Sequence, residues 1–259
     1  MNLQLAGQRV LVTGASQGIG EGLAEVFAEE GAHLHLVARS ADKLERLAER
    51  LRAAHGVEVV TQQADIAAPG AVQAIADAAG DIDVLVNNAG AIPGGDLWQV
   101  EAAAWRDGWD VKVFGYIDLC RAIYPGMKAR GRGVILNNIG NGGENFDARY
   151  IAGSTGNAAL MAFTRALGGR SLDDGIRVVG INPGPVATDR IVKVMKSRAQ
   201  ELHGDESRYR ELLAAYPLGR PAHIREVADL FAFLASPRSA YTSGVICTVD
   251  GGLTSRRSI

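Results

Sequence analysis

The stretch "RVLVTGASQGIGEGLAEVF" (9–27) constrains the fold more than any other. A short apolar run ends in a loop holding Gly14, Gly18 and Gly20, and an amphipathic helical pattern comes directly after it, with Leu23, Val26 and Phe27 on one face. The same alternation continues along the chain. "HLHLVA" (33–38) reads as a second strand and "SADKLERLAERLRAAHG" (40–56) as a second helix with an N-cap-like serine. "VEVVTQQADI" (57–66), "DVLVNNAG" (83–90), "GVILNNIG" (133–140), "IRVVGINPG" (176–184) and "GVICTVDGG" (244–252) read as five more strands. Apolar runs that do not alternate with polar residues belong to strands covered on both faces. Strands separated by helices are βαβ units in a parallel sheet. The expected fold is α/β, one doubly wound Rossmann-type domain over 1–259 with a mostly parallel seven-stranded sheet and helices on both faces.

Composition narrows the class. The 259 residues carry a net charge of −2, which leaves no basic footprint for nucleic acid. The amino end has no basic region leading into an apolar run, and no stretch reaches the ~18 apolar residues of a membrane span. Cys120 and Cys247 lie far apart without metal-ligand neighbours, as expected of buried free thiols in a reducing compartment. His33, His35, His55, His203 and His223 are scattered and show no metal-ligand spacing. The "SRRSI" end (255–259) reads as a solvated cationic tail. The expectation is a cytoplasmic protein with a small-molecule partner, no metal, no nucleic acid and no membrane.

The loop "TGASQGIG" (13–20) points to a ligand. Its glycines let the backbone turn tightly against a phosphate, and the helix behind it offers free N–H groups and a positive dipole end. A strand before and a helix after make this a dinucleotide-binding signature rather than a plain turn.

"TGASQGIG", "NNAG" (87–90), "INPGPVAT" (181–188) and "VDGG" (249–252) together resemble the short-chain dehydrogenase/reductase family, in order and spacing over nearly the whole chain. The resemblance implies a nicotinamide cofactor held by Gly14, Ser16, Gln17, Gly18, Ile19 and Gly20. It puts Asp65 and Ile66 at the adenine, lines the cofactor with Asn87, Ala89 and Gly90, and brings Pro183, Gly184 and Thr188 near the carboxamide. It also implies a homotetramer or homodimer, for which helices at about 98–129 and 154–171 carry apolar stripes. The second strand ends in "LVARS" (36–40), with Ala38 where an acid would bind the ribose hydroxyl of NAD and Arg39 next to it. A guanidinium suits a 2′-phosphate, so NADP is the expected cofactor and NAD the other possibility. Gln17, where NADP-using relatives often carry a base, is neutral.

The resemblance fails where the chemistry should sit. The gapless run "AALMAFTRALGGRSLDDGIRVVGINPG" (158–184) places Gly153 at the family's tyrosine position and Asn157 at its lysine position. Gly140 falls at the serine position and Lys112 at the asparagine position. Realigning on Tyr150 would put Ser154 at the lysine position, where it supplies no charge, and breaks the downstream match. Hydride transfer to a carbonyl leaves an alkoxide that must be protonated, and a free tyrosine titrates near 10 without a nearby cation. Two replacements offer themselves. Tyr150, one turn before Gly153 on a continuous helix, can swing into the space the glycine leaves. Lys112, beside the stripe of Trp109, Val113, Ile117 and Cys120, can donate the proton or act as the cation. The candidate catalytic set is Lys112, Tyr150 and Asn157, with Asn138 and Asn141 as further neutral hydrogen-bonding groups and "GNGG" (140–143) as the pocket edge.

Three functions remain open at this point. One is an NADP-dependent oxidoreductase acting on a carbonyl or alcohol with an atypical proton donor. The second is a lyase or isomerase using the Lys112 amine, and the third is a catalytically silent nucleotide-binding homologue. The charged segment 189–220 is expected to form two short helices that cover the substrate pocket, and Trp98, Phe146, Tyr150, Val194 and Met195 are candidates for its apolar wall.

Overall fold

A computed structural model describes residues 1–258 apart from Ala91; Ile259, the end of the cationic tail, lies outside the described residues. Seven strands form one sheet: β1 Arg9–Thr13, β2 His33–Ala38, β3 Val59–Gln63, β4 Val84–Asn87, β5 Gly133–Asn138, β6 Ile176–Pro183 and β7 Val245–Val249. Their order is β3-β2-β1-β4-β5-β6-β7 and every neighbouring pair is parallel. The order reverses between β1 and β4, the switch point where open α/β sheets bind ligands.

Alternate residues of each strand feed cores on opposite faces. Val10 and Val12 of β1 pack with α1 (Gly18–Glu29), while Leu11 points to the other side. The first core also takes Leu44 and Leu47 of α2 (Ala41–His55). The second takes Ile75 of α3 (Ala71–Ala79). Burial on both faces is why these strands read as continuous apolar runs. The strands lie where the sequence put them, but all except the second are shorter than expected, the third and the fourth by half, at Val59–Gln63 and Val84–Asn87.

The long helix expected over about 98–129 is three pieces. α4 spans Ala102–Trp109, a π-helical turn occupies Asp110–Phe114, and α5 continues through Gly115–Arg130. A π turn inserts a residue into the helical repeat and rotates the facing of the helix beyond it. Lys112 sits inside it. The second helix of that pair, α6, starts earlier than expected, at Ile151, and runs to Gly168. The segment 189–220 forms α7 (Asp189–His203), a 3₁₀ turn at Glu206–Arg208 and α8 (Tyr209–Ala214). The last helix, α9, is Ile224–Ala235.

Arg177 of β6 fastens α9. Its guanidinium is buried and donates to the Leu234 and Ala235 carbonyls at 2.7 and 3.0 Å, to Ser236 O at 3.0 Å, and to both oxygens of Ser239. Those carbonyls are the unpaired acceptors at a helix carboxyl end, where a cation is favoured. Arg177→Met should lower unfolding free energy by roughly 3 kcal/mol or more, because several charge-assisted bonds go and buried carbonyls stay unpaired. Thermal denaturation should show a drop of about 6–12 °C.

Candidate active site

The carboxyl ends of β1, β4 and β5 are joined by side chains. Thr13 Oγ1 accepts from the backbone N–H of Asn88 and Ala89 at 3.0 and 3.1 Å. The Asn88 amide donates to Thr13 O at 2.9 Å and to Gly14 O at 3.2 Å. Asn138 Nδ2 donates to Asn88 Oδ1 at 2.7 Å. One level deeper, Asn87 donates to Asn137 Oδ1 at 2.9 Å, and Asn137 to Thr164 Oγ1 at 2.9 Å. Asn87 is therefore a buried strand-to-strand tie and not the cofactor wall expected of it. Its neighbour Asn88 reaches the cleft instead.

A cleft of about 1220 Å³ opens above these strand ends. The glycine loop forms one wall: Gly14, Ser16, Gln17, Gly18, Ile19 and Gly20 all face it. Gly20 is obligatory, because a Cβ there would overlap the Gly14 carbonyl and the Asn88 amide. α1 begins at Gly18 with no side chain capping its first N–H groups, which leaves them for an anion. Arg39, Asp65 and Ile66 line the far end, Ala89 and Gly90 the floor, and Pro183, Gly184 and Thr188 the opposite wall. These residues fit a nicotinamide dinucleotide: an uncapped helix end for the pyrophosphate and, at the other end, buried amides with a free oxygen. Asn157 Oδ1 and Asn145 Oδ1 are both buried without a partner among the described residues, and both side chains line the cleft.

Sequence reading missed Lys43. Carried by the first turn of α2, it donates to Gln17 Oε1 at 2.9 Å. A cation thus stands beside the neutral Gln17, from a different element. Its spacing from the glycine loop gives no hint of this.

The rebuilt corner lies at the other end of the cleft. Tyr150 precedes α6 with non-helical backbone angles (φ −137°, ψ 38°), so it is not on a continuous helix with Gly153. Its ring nevertheless folds over Gly153. A Cβ at 153 would lie inside that ring, against Cζ and Cε1. Gly142 flanks the ring, with room for a Cβ 3.5 Å from Tyr150 Cδ1. Asn157 Nδ2 donates to Gly140 O at 3.3 Å.

The Lys112 stem crosses Gly90, where a Cβ would meet its Cδ at 3.1 Å. Its ammonium donates to Ile139 O, and Tyr116 Oη donates to the preceding carbonyl, Asn138 O, at 3.0 Å. Burial, with a smaller push from the Arg190 charge, lowers the Lys112 pKa to about 7. Burial raises that of Tyr116 far above its usual value. Arg190, on α7, was not foreseen. Its Nη2 donates to Ile92 O at 3.2 Å and meets Tyr150 Oη at 3.5 Å. Of the expected apolar wall, Tyr150, Val194 and Met195 line the cleft; Trp98 and Phe146 are exposed and do not.

Among the described residues there is no group of three metal-ligating side chains and no helix long and apolar enough to cross a membrane. Both cysteines are free, Cys120 buried and Cys247 half-buried.

Comparison with known proteins agrees with this architecture. A family model described as enoyl-(acyl carrier protein) reductase matches residues 14–254. The chain is 33% identical to 2-keto-3-deoxy-L-fuconate dehydrogenase of Xanthomonas campestris pv. campestris, over 97% of this chain and 81% of that relative. It is 35% identical to galactitol 2-dehydrogenase (L-tagatose-forming) of Cereibacter sphaeroides, over 97% and 96%. The structure of L-sorbose reductase from Gluconobacter frateurii, complexed with NADPH and L-sorbose, superposes with a TM-score of 0.91 at 34% identity, covering 98% of this chain and 99% of that one. The chain belongs to the short-chain dehydrogenase/reductase family and is an oxidoreductase.

Gly153→Ala tests the packing at the corner. The new methyl overlaps the Tyr150 ring, so the ring must leave or the helix must shift. Unfolding free energy should fall by roughly 1–3 kcal/mol. Tyr150→Ala in the same chain should recover most of that loss in a denaturant titration.

Proposed function

We propose that this enzyme is an NADP-dependent oxidoreductase that transfers a hydride between the nicotinamide and a small carbonyl or alcohol substrate, with Lys112 in charge of the proton. The observation that carries this reading is an amine at the cleft floor, held by the Ile139 carbonyl, and burial lowers its pKa to about 7. When bound, the nicotinamide supplies or accepts the hydride. The Lys112 ammonium then protonates the oxygen of the reduced carbonyl, or the neutral amine takes the proton from an alcohol. A pKa near the working pH suits a group that must do both. The Tyr150 ring closes the space over Gly153 and presents its hydroxyl to the same corner. Asn157, uncharged, offers its free Oδ1 to a hydroxyl of the bound cofactor.

Two cations favour NADP over NAD. Arg39 lines the adenine end of the cleft, no carboxylate stands at Ala38, and Lys43 sits against Gln17. Both can reach the region of a 2′-phosphate. The reading includes one domain over 1–259, 189–220 as a closing element, and a cytoplasmic homotetramer or homodimer. In support of assembly, Phe114 of the π turn and Val245 of the edge strand β7 leave apolar surface exposed.

Two experiments test the proposal. In the reductive direction the charged amine is required, so kcat/KM should fall as pH rises through about 7. In the oxidative direction the neutral amine is required, so kcat/KM should rise through the same range. Lys112→Met should lower turnover by roughly 10²–10⁴-fold and erase both titrations while NADPH still binds. A pH profile unchanged by that substitution would sink the assignment. For the cofactor, Arg39→Ala combined with Lys43→Ala should weaken NADPH binding by roughly ten- to a hundredfold and leave NADH binding little changed, measured by fluorescence titration.

A further inference from the structure

Two cations face the reacting corner from different walls, Lys112 from the π turn and Arg190 from α7. Neither has a carboxylate within ion-pair distance among the described residues. The ion pairs of α7 and its neighbours go to other side chains, such as Lys196 with Glu206. Each cation is held instead by a neutral backbone carbonyl, Ile139 O for Lys112 and Ile92 O for Arg190. They stand close enough for the Arg190 charge to act on the Lys112 amine. Arg190 is exposed, so water screens part of this repulsion, and an anion placed between the two cations is favoured by both.

Arg190 is also underused. Its Nη2 makes both of its hydrogen bonds, and its Nε and Nη1 have no hydrogen-bond partner among the described residues. The side chain is exposed to the cleft, so its Nε–H and Nη1–H, which lie on either side of the Cδ stem, are each open to a single oxygen of an anion. Because Nη2 meets Tyr150 Oη at 3.5 Å, that acceptor would lie beside the corner where the hydride is exchanged.

We infer that the substrate is a small oxo or hydroxy carboxylate, its carboxylate received by Arg190 one or two carbons from the reacting carbon, whose oxygen faces Lys112. The inference rests on the hydride-transfer reading of the corner and adds to it a substrate class. The carboxylate pairs with cations that have no carboxylate partner among the described residues, and its contact with Arg190 sets which carbon meets the nicotinamide. A neutral polyol or ketone would leave both cations without a counter-ion.

The test uses the full chain loaded with NADPH and two matched pairs of probes, 2-oxobutanoate with its methyl ester and acetoacetate with its methyl ester. Binding is measured by calorimetry and reduction by loss of NADPH absorbance. At least one acid should bind at least tenfold more tightly than its ester. Arg190→Gln should weaken that acid by roughly ten- to a hundredfold and abolish the preference, with Arg190→Lys recovering part of it. Lys193→Gln, an exposed position on the same helix, should keep the preference. Equal binding of acid and ester, no binding of either acid, or a preference that survives Arg190→Gln would overturn the inference. The two readings fail differently. Acids that bind through Arg190 yet are never reduced count against hydride transfer. Neutral ketones reduced as well as acids count against the carboxylate.

Discussion

The structure depends on how three parallel strands end. β1, β4 and β5 are covered on both faces, so the polar groups where they finish are largely shielded from water, Thr13 fully and Asn88 in part. Thr13, Asn88 and Asn138 meet that demand by bonding to one another and to the Gly14 carbonyl. The tie holds the glycine loop against β4 and leaves the cleft open directly above. Everything that meets a ligand is hung from this row of strand ends. The loop and α1 stand on one side, the π turn stands over the floor, and α6 and α7 stand on the other side.

The two ends of the cleft obey different logic. At the dinucleotide end the groups on offer are backbone N–H donors and close-packed glycines, and a Cβ at Gly14 or Gly20 would collide with Ala89 or with the Gly14 carbonyl. At the other end the site is built from side chains. A ring from outside α6 covers Gly153, and an amine from the π turn occupies the floor.

Much of this was legible in the sequence. The strands and the glycine loop were readable because both-face burial and backbone approach to phosphate leave direct marks on residue type. The closeness of Tyr150 to Gly153 was legible too, since they lie three residues apart, although the ring arrives from outside the helix. Other features were not. Asn87 and Asn88 are identical in type and adjacent, and only strand pleating decides that one ties strands and the other faces the cleft. The π turn leaves no composition signal in "DVKVF", so a continuous helix was the natural expectation. Lys43 and Arg190 reach their positions through tertiary folding, at separations of 26 and 40 residues from Gln17 and Tyr150. No local pattern encodes such distances.

The bond from Lys112 to the Ile139 carbonyl has a further consequence. An ammonium has three N–H groups and a neutral amine has two with one lone pair. The carbonyl can accept only from an N–H, so it holds the nitrogen in both charge states and never competes for the lone pair. When the proton leaves, nothing needs to swing: the lone pair is exposed in the direction the proton took. In the proposed role of Lys112, the end of β5 would thus serve as a fixed mount for a group that changes charge, with no reorganisation of its surroundings.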